Sequence, residues 1–278
     1  MTNPPPEAEA ADRSSMAGPP RVMVSAQELT KCYDEAQGEP FVAVDRLSFE
    51  AHSGEVFGLL GPNGAGKTTA LRILTTLLKP SSGVAMINGF DCAAQPELVR
   101  RQVGFISANT AIYDRMTAWE FVEYFGRLHG LDDDLLHDRM ESLFERLQMQ
   151  NLRDMLGSKM STGMKQKTSI ARALVHDPPV IVFDEATNGL DAFAARASLD
   201  EVAKLRDLDK CVVFSTHIMS EVERICDRIA VMDRGRIVES GTLEELRERH
   251  GESDLEELFF RLVRGGAEDG PPVADPND

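Results

Sequence analysis

Apolar residues recur along the chain in patterns that predict strands and helices in alternation. They alternate with polar residues over 41–52, as in a strand with one buried face. Helical spacing over 67–78, with a stop before Pro80, predicts a helix. Short apolar runs predict further strands at 55–61, 83–89, 103–107, 180–185, 211–215 and 228–235.

Residues 115–177 contain no convincing strand pattern, and only helices are predicted there. One opens at Thr117, a second covers roughly 133–149, and a third follows Ser161–Gly163. The sequence therefore predicts an α/β core interrupted by a helical insertion. Capping boxes, in which Thr or Ser is followed three residues later by Glu, are predicted at Thr117 with Glu120, Thr242 with Glu245 and Ser253 with Glu256.

Both ends of the chain are rich in Pro, Gly, Ala and acidic residues, so 1–20 and 265–278 are expected to be disordered tails around an ordered 21–264. The first 20 residues lack the apolar core of a secretory signal. No apolar run approaches the roughly 18–20 residues that span a bilayer. Four scattered cysteines (Cys32, Cys92, Cys211 and Cys226) fit reduced thiols. These features together predict a cytoplasmic protein.

Chain length and net charge limit the domain organisation and the kinds of partner that the protein can have. With 278 residues, 42% of them hydrophobic, the chain can form one large α/β domain or two small ones. The formal net charge of −16 argues against nucleic acid as a partner, because phosphate contacts need clustered Lys and Arg.

The segment "GPNGAGKTT" (61–69) follows a predicted strand and opens a predicted helix, which is the context of a phosphate-binding loop. Glycines let backbone N–H groups converge on a phosphate, Lys67 reaches the β- and γ-phosphates, and Thr68 offers a hydroxyl to Mg²⁺. A chance match of the four fixed positions is expected in ~1% of chains of this length. The candidate contacts are Gly61, Pro62, Asn63, Gly64, Ala65, Gly66, Lys67, Thr68 and Thr69.

Two acidic residues end the run "VIVFDE" (180–185). Asp184 is expected at the carboxyl end of a buried strand, beside the phosphate loop, where it would hold Mg²⁺ through a water. Glu185 follows, placed to polarise an attacking water. Two acids at a helix start are common by themselves, and the phosphate loop favours the catalytic interpretation.

A second segment of small residues, "MSTGMKQK" (160–167), precedes a predicted helix. Free N–H groups at a helix N-terminus favour an anion. The chain already holds one phosphate loop, so the segment is either a plain helix cap or a site for a second phosphate.

The phosphate loop, "STGMKQK", "VIVFDEATNGLD" and "VVFSTH" stand in an order and spacing that resembles the ATP-binding subunits of ABC transporters, over about residues 22–247. Within that family the chain is similar to the bacterial sodium-extrusion and multidrug-export types. The resemblance implies an α/β fold: a RecA-like P-loop core, an antiparallel β subdomain and a helical subdomain at about 107–178. It implies an ATP hydrolase that uses ATP and Mg²⁺.

The resemblance also implies roles for residues outside the phosphate loop. A head-to-tail homodimer would form with ATP, and the second segment would bind the γ-phosphate of the nucleotide held by the other subunit. Tyr33 would stack on adenine, Asp191 would cross the dimer interface, and His217 would contact the γ-phosphate and Glu185. The residues of the second segment are Ser161, Thr162, Gly163 and Met164.

Three positions depart from the family pattern. Thr162 stands where Gly is most common, and Ala186 replaces the usual Pro after Glu185. Ala108, followed by Asn109, stands where a Gln usually touches magnesium and the attacking water. Asn109 would point to the opposite face of an extended strand, so slow but real hydrolysis is expected, with the water held by Glu185 and His217.

The sequence therefore predicts the ATP-hydrolysing subunit of an ABC exporter, bound to the inner face of the cell membrane through separate integral membrane permease subunits. Residues 111–121 carry Tyr113, Met116 and Trp119, an apolar surface expected to receive a helix of the permease. Two alternatives stay open: a soluble ABC ATPase with no membrane role, and a nucleotide-gated regulatory subunit with negligible turnover. Sodium or drugs as cargo follow from the resemblance alone.

Overall fold

The structure is a computed structural model that describes residues 20–34, 40–107 and 111–265. The strands are β1 (Val22–Tyr33), β2 (Phe41–His52), β3 (Val56–Leu60), β4 (Ser82–Ile87), β5 (Phe90–Asp91), β6 (Val103–Ser107), β7 (Val180–Asp184), β8 (Cys211–Thr216), β9 (Arg228–Asp233) and β10 (Arg236–Thr242). The helices are α1 (Lys67–Leu74), α2 (Pro96–Gln102), α3 (Ala118–Leu128), α4 (Asp133–Arg146), α5 (Thr162–Leu174), α6 (Ala192–Asp207), α7 (Met219–Ile225), α8 (Leu243–His250) and α9 (Leu255–Gly265).

The larger sheet has the strand order β10-β9-β3-β8-β7-β6. Its members from β9 to β6 run parallel, and β10 pairs antiparallel at one edge. Strands β3, β7 and β8 are buried along their whole length, which explains their continuous apolar runs. Strand β8 lies between β3 and β7. Asp184 ends the buried strand β7, and its carboxylate accepts from the Thr68 hydroxyl at 3.0 Å, so Asp184 lies beside the phosphate loop as expected.

The smaller sheet is antiparallel, with the order β2-β1-β4-β5. Its inner face joins β3 and α1 in one core, where the rings of Phe49 and Phe57 stack with centroids 5.0 Å apart. Strand β1 was missing from the predicted strands because Glu28 has a φ of +47° and the pairing shifts register between Ala26 and Leu29, which interrupts the alternation. Strand β10 was also missed, because none of its residues is fully buried.

Helices α3, α4 and α5 lie between β6 and β7 and share a second apolar core that includes Phe121, Phe144 and Ile170. The described residues between 115 and 177 form no strand beyond a single bridge that joins Thr117 and Leu156, as predicted. A helical subdomain over 107–178 remains a proposal. Within the described part of the chain, no helix is both long and apolar enough to cross a membrane.

Two predicted capping boxes are confirmed, at Thr117 and at Thr242, each with both reciprocal hydrogen bonds. The one at Ser253 is wrong: the Asp254 carboxylate accepts from the backbone N–H groups of Glu256 and Glu257, and α9 starts immediately afterwards. Helices α1 and α4 end earlier than predicted, at Leu74 and Arg146. The predicted tails, 1–20 and 265–278, fall outside the described residues except for one residue at the inner end of each.

Candidate functional site

The loop between β3 and α1 has a backbone that only glycine fits at key points. Gly64 and Gly66 have φ values of +79° and +97°, in the left-handed region. A Cβ on Gly66 would lie 2.3 Å from the carbonyl oxygen of Ala43. The N–H of Gly235 donates to the Ala65 carbonyl at 3.0 Å, which ties the loop to the β9–β10 turn. The predicted phosphate loop is therefore a fixed, glycine-dependent turn at the N-terminus of a helix.

Lys67, the first residue of α1, points back into this loop with only 4% of the residue exposed. Its ammonium donates to the carbonyl oxygens of Gly61 at 2.7 Å and Pro62 at 3.0 Å. It also lies 3.2 Å from Oε1 of Glu185. A buried ammonium needs such partners, and here they are acceptors that an anionic ligand of the loop could replace.

Asp184, at the end of β7, reaches the phosphate loop across the intervening strand. Thr68 Oγ1 and Ser215 Oγ each donate to Asp184 Oδ1 at 3.0 Å. A hydroxyl and a carboxylate side by side are the oxygen donors that Mg²⁺ prefers, with further ligands supplied by phosphate and water. These two side chains are therefore the candidate metal position. The described residues contain no cluster of three or more His, Cys, Asp or Glu that could hold a metal.

Glu185 lies between the phosphate loop and the end of β8. Its backbone has a φ of +47°, and its N–H donates to Oγ and O of Ser215 at 3.1 and 3.2 Å. Oε1 lies 3.2 Å from Lys67 Nζ and 3.6 Å from His217 Nδ1, and Oε2 accepts from Asn188 Nδ2 at 2.7 Å. The structure thus brings Lys67, Glu185 and His217 together at the carboxyl ends of the parallel strands, and the proximity of His217 to Glu185 is the one that the family resemblance implied.

Sequence reasoning missed two members of this site. Ser215 bridges Asp184 and the backbone of Glu185, and Asn188 holds the Glu185 carboxylate. Ser215 lies in "VVFSTH" and Asn188 in "NGLD", the same motifs that contain His217 and Asp191. A small polar residue at the buried end of a strand was the available signal for Ser215.

The second small-residue segment is a helix cap in this structure. Ser161 Oγ accepts from the N–H of Met164 at 3.3 Å, and α5 begins at Thr162, so the β-branched side chain sits in ordinary helical geometry. A Cβ on Gly163 would lie 3.0 Å from that of Ala194 in α6. No hydrogen bond or ion pair given for the described residues joins this segment to the phosphate loop.

A cavity of about 530 Å³ lies between α5 and α6, and Ser161, Gly163, Met164 and Asp191 line it. Asp191 caps α6 by accepting from the N–H groups of Phe193 and Ala194, both at 2.9 Å. Ser161, Gly163, Met164 and Asp191, which are predicted to act at the nucleotide or the interface of the second copy, therefore share one surface. This surface is separate from the phosphate loop.

Tyr33, the predicted adenine contact, ends β1 opposite Phe41 in the pairing with β2. It is 37% exposed, and the ammonium of Lys31 lies 5.3 Å from its ring centroid. Ala186, which replaces the family's Pro, is fully buried. Ala108 and Asn109, the position of the missing Gln, lie outside the described residues.

Comparison with known proteins gives matches along most of the chain. Residues 44–188 match the family model described as ABC transporter. The ABC transporter ATP-binding protein NatA of Bacillus subtilis is 42% identical over 241 residues, covering 85% of this chain and 98% of NatA. The Nod factor export ATP-binding protein I of Mesorhizobium japonicum is 35% identical over 238 residues, covering 86% of this chain and 68% of that protein.

A solved structure matches the fold as well. It is the dimeric post-hydrolysis state of an ATP-binding cassette bound to ADP and Pi, with a TM-score of 0.71 and 26% identity. The match covers 79% of this chain and 98% of that one.

Proposed function

This chain belongs to the family of ABC transporter ATP-binding subunits, and we propose that it drives an exporter by hydrolysing ATP between two copies of itself. ATP binding and hydrolysis are properties of the family. The assignment to individual residues rests on one observation. At the carboxyl ends of the parallel strands, the structure brings together Lys67, Thr68, Asp184, Glu185 and His217.

ATP binding begins with an exchange of partners at Lys67. The ammonium leaves the carbonyl oxygens of Gly61 and Pro62 and Glu185 Oε1 for the β- and γ-phosphates, whose oxygens replace these acceptors. The N–H groups of residues 61–69 and the start of α1 supply further donors. Thr68 and Asp184 would hold Mg²⁺, which when bound offsets the negative charge of the phosphates.

Glu185 acts as the general base in the proposed reaction. Once Lys67 has turned to phosphate, Glu185 Oε1 accepts a proton from water as the water oxygen attacks the γ-phosphorus. The bond from that phosphorus to the bridging oxygen breaks, and ADP and phosphate form. His217 lies on the same side, with its Nδ1 3.6 Å from Glu185 Oε1, and its ring would donate to the γ-phosphate.

A second copy completes the site. Ser161, Thr162, Gly163 and Met164 would bind the γ-phosphate held by the other subunit, and the exposed positions of Ser161 and Thr162 support this role. Asp191 would lie at the interface between the copies, and Tyr33 would stack on the adenine of its own site.

Glu185→Gln tests the base. The variant keeps the size of the side chain, and its amide oxygen can still accept from Asn188 Nδ2, but it removes the negative charge that takes the proton. We expect ATP to trap it as a dimer on gel filtration, with Glu244→Gln, an exposed residue of α8, remaining like the wild type. A variant that stays monomeric with ATP, or turns over at the wild-type rate, contradicts the assignment.

Ser161→Arg tests the shared site. The substitution places bulk and positive charge in the segment that would bind the other subunit's nucleotide, and it leaves the phosphate loop intact. We expect labelled ATP to bind normally while hydrolysis and dimerisation are lost. Asp132→Arg is the matched control, since Asp132 caps α4 as Ser161 caps α5. Turnover that survives in Ser161→Arg, at a rate per subunit independent of protein concentration, would exclude the two-half-site arrangement.

Export, with sodium ions or drugs as cargo, is the finer part of the proposal. One of the relatives is a Nod factor export ATP-binding protein, which supports export as the direction for this chain. Integral membrane permease subunits would hold the protein at the inner face of the cell membrane. Purification of the chain from membranes of its own cells, with identification of the membrane protein that accompanies it, tests this point. A phosphate-release assay without measurable turnover would favour a regulatory subunit instead.

A further inference from the structure

Asn188 is bound to Glu185 through both its backbone and its side chain. Its N–H donates to the Glu185 carbonyl at 3.0 Å, which closes a turn, and its Nδ2 donates to Glu185 Oε2 at 2.7 Å. An ionised carboxylate can only accept hydrogen bonds, so the NH₂ end of the amide must face it. The amide orientation is therefore fixed by the chemistry of its partner.

The two oxygens of Glu185 have separate surroundings. Oε2 is held by Asn188, whereas Oε1 faces Lys67 Nζ at 3.2 Å and His217 Nδ1 at 3.6 Å. The backbone of Glu185 is fixed by Ser215, and its terminal torsion is one that ranges broadly unless a contact restrains it. Asn188 supplies the contact on the side away from the phosphate loop.

We propose that Asn188 is a positioning residue for hydrolysis: by holding Oε2 it keeps Oε1 directed at the phosphate loop, where the attacking water is oriented. The inference rests on the proposed role of Glu185 as the base. It also begins "NGLD", the segment that ends at Asp191, so the base is tied directly to the stretch proposed to reach the second copy.

Two substitutions separate positioning from a role in the turn. Asn188→Asp is nearly the same shape and favours turns as well as Asn does, but it removes the donor and places a second carboxylate against Oε2. We expect kcat to fall about 10- to 100-fold in Asn188→Asp, the loss expected for one hydrogen bond to a charged group. The kcat of Asn188→Ala should fall about 10-fold, and in both variants the KM for ATP should stay within about 2-fold of the wild-type value. Gln27→Glu, the same amide-to-carboxylate change at an exposed position of β1, should leave kcat at the wild-type value.

A double variant provides the second readout. In the Glu185→Gln background the new Gln amide can donate to the Asp at 188, so Asn188→Asp should lower the residual single-turnover rate by no more than about 2-fold. A purely structural role would cost the same factor in both backgrounds.

Each outcome decides the question. Wild-type kcat in Asn188→Asp, equal losses in the two backgrounds, or loss of ATP affinity or folding in place of kcat would each overturn the positioning role. Wild-type turnover in Glu185→Gln alone would instead refute Glu185 as the base, which is a separate failure.

Discussion

Replacing Ser215 by Ala removes a hydroxyl that makes two contacts at the buried end of β8. The hydroxyl donates to Asp184 Oδ1 at 3.0 Å and accepts from the N–H of Glu185 at 3.1 Å. After the substitution, Asp184 keeps the Thr68 hydroxyl at 3.0 Å, and the Glu185 N–H keeps the Ser215 carbonyl at 3.2 Å. The net change is therefore the loss of one hydrogen bond to a buried carboxylate and of one of the two acceptors of the Glu185 N–H, with every remaining polar group still paired.

That loss has a predictable size. A hydrogen bond to a charged group contributes about 1.5–3 kcal/mol, so Ser215→Ala should lower the free energy of unfolding by about 2 kcal/mol. In a chain of this length the melting temperature should fall by about 4–8 °C. Because Ser215 also fixes Glu185, kcat should fall about 10-fold while ATP still binds.

Ser198 provides the matched control. It is buried to a similar degree, but its Oγ has no hydrogen-bond partner among the described residues. Removing an unpaired buried hydroxyl relieves a cost, and Ala favours the α6 helix, so Ser198→Ala should be neutral or up to about 1 kcal/mol more stable. Urea denaturation of both variants measures the difference. Equal destabilisation by the two substitutions would refute this account of Ser215.

Three further predictions concern other parts of the chain. Tyr113 is 59% exposed, so Tyr113→Asp should cut transport yet leave the basal hydrolysis of the isolated subunit unchanged. Leu77→Asp, at an equally exposed position, is the control, and loss of both transport and hydrolysis in Tyr113→Asp would indicate a folding role. Ala108→Gln should speed hydrolysis or tighten its magnesium dependence, and Asn109→Ala should change the rate little. If Asn109→Ala abolished hydrolysis while folding and ATP binding stayed intact, Asn109 would be the substitute for the missing Gln. Burial, chiefly, lowers the pKa of His176 from 6.5 to about 3, so the native state stays neutral where the unfolded chain takes up a proton, and stability falls as pH drops from about 6.5 towards 3. Between pH 7 and 5 the wild type should lose about 1–2 kcal/mol more than His176→Gln, and parallel pH profiles would count against this explanation.

The central strands and the phosphate loop could be predicted because their causes are local. Strands β3, β7 and β8 are buried on both faces, so burial alone requires the apolar runs that identify them. The loop needs left-handed backbone at Gly64 and Gly66, and only a glycine pattern satisfies it. Each of these features is determined by a short run of consecutive residues, so it can be predicted from the sequence.

The missed features depend on residues far apart in the chain. The insertion of β8 between β3 and β7 is a matter of sheet order, which no single segment encodes. Ser215 became part of the site only when β8 was placed beside β7, 31 positions away from Asp184. Strand β1 follows β2 and β4 through register shifts that break the two-residue period, so its pattern resembled irregular chain.

Mixing two inactive variants tests the shared site most directly. Ser161→Arg keeps an intact phosphate loop and base, and Glu185→Gln keeps an intact Ser161 segment, so a mixed dimer contains one complete site and one doubly impaired site. Subunits combined 1:1 before ATP is added should recover on the order of one tenth to one quarter of wild-type phosphate release. One quarter is the limit for random pairing, in which half of the dimers are mixed and each has one working site, and the Arg at 161 lowers the yield because it weakens one of the two sites that close the mixed dimer. A mixture no more active than the separate variants would contradict the claim that each site is built from two copies of the chain.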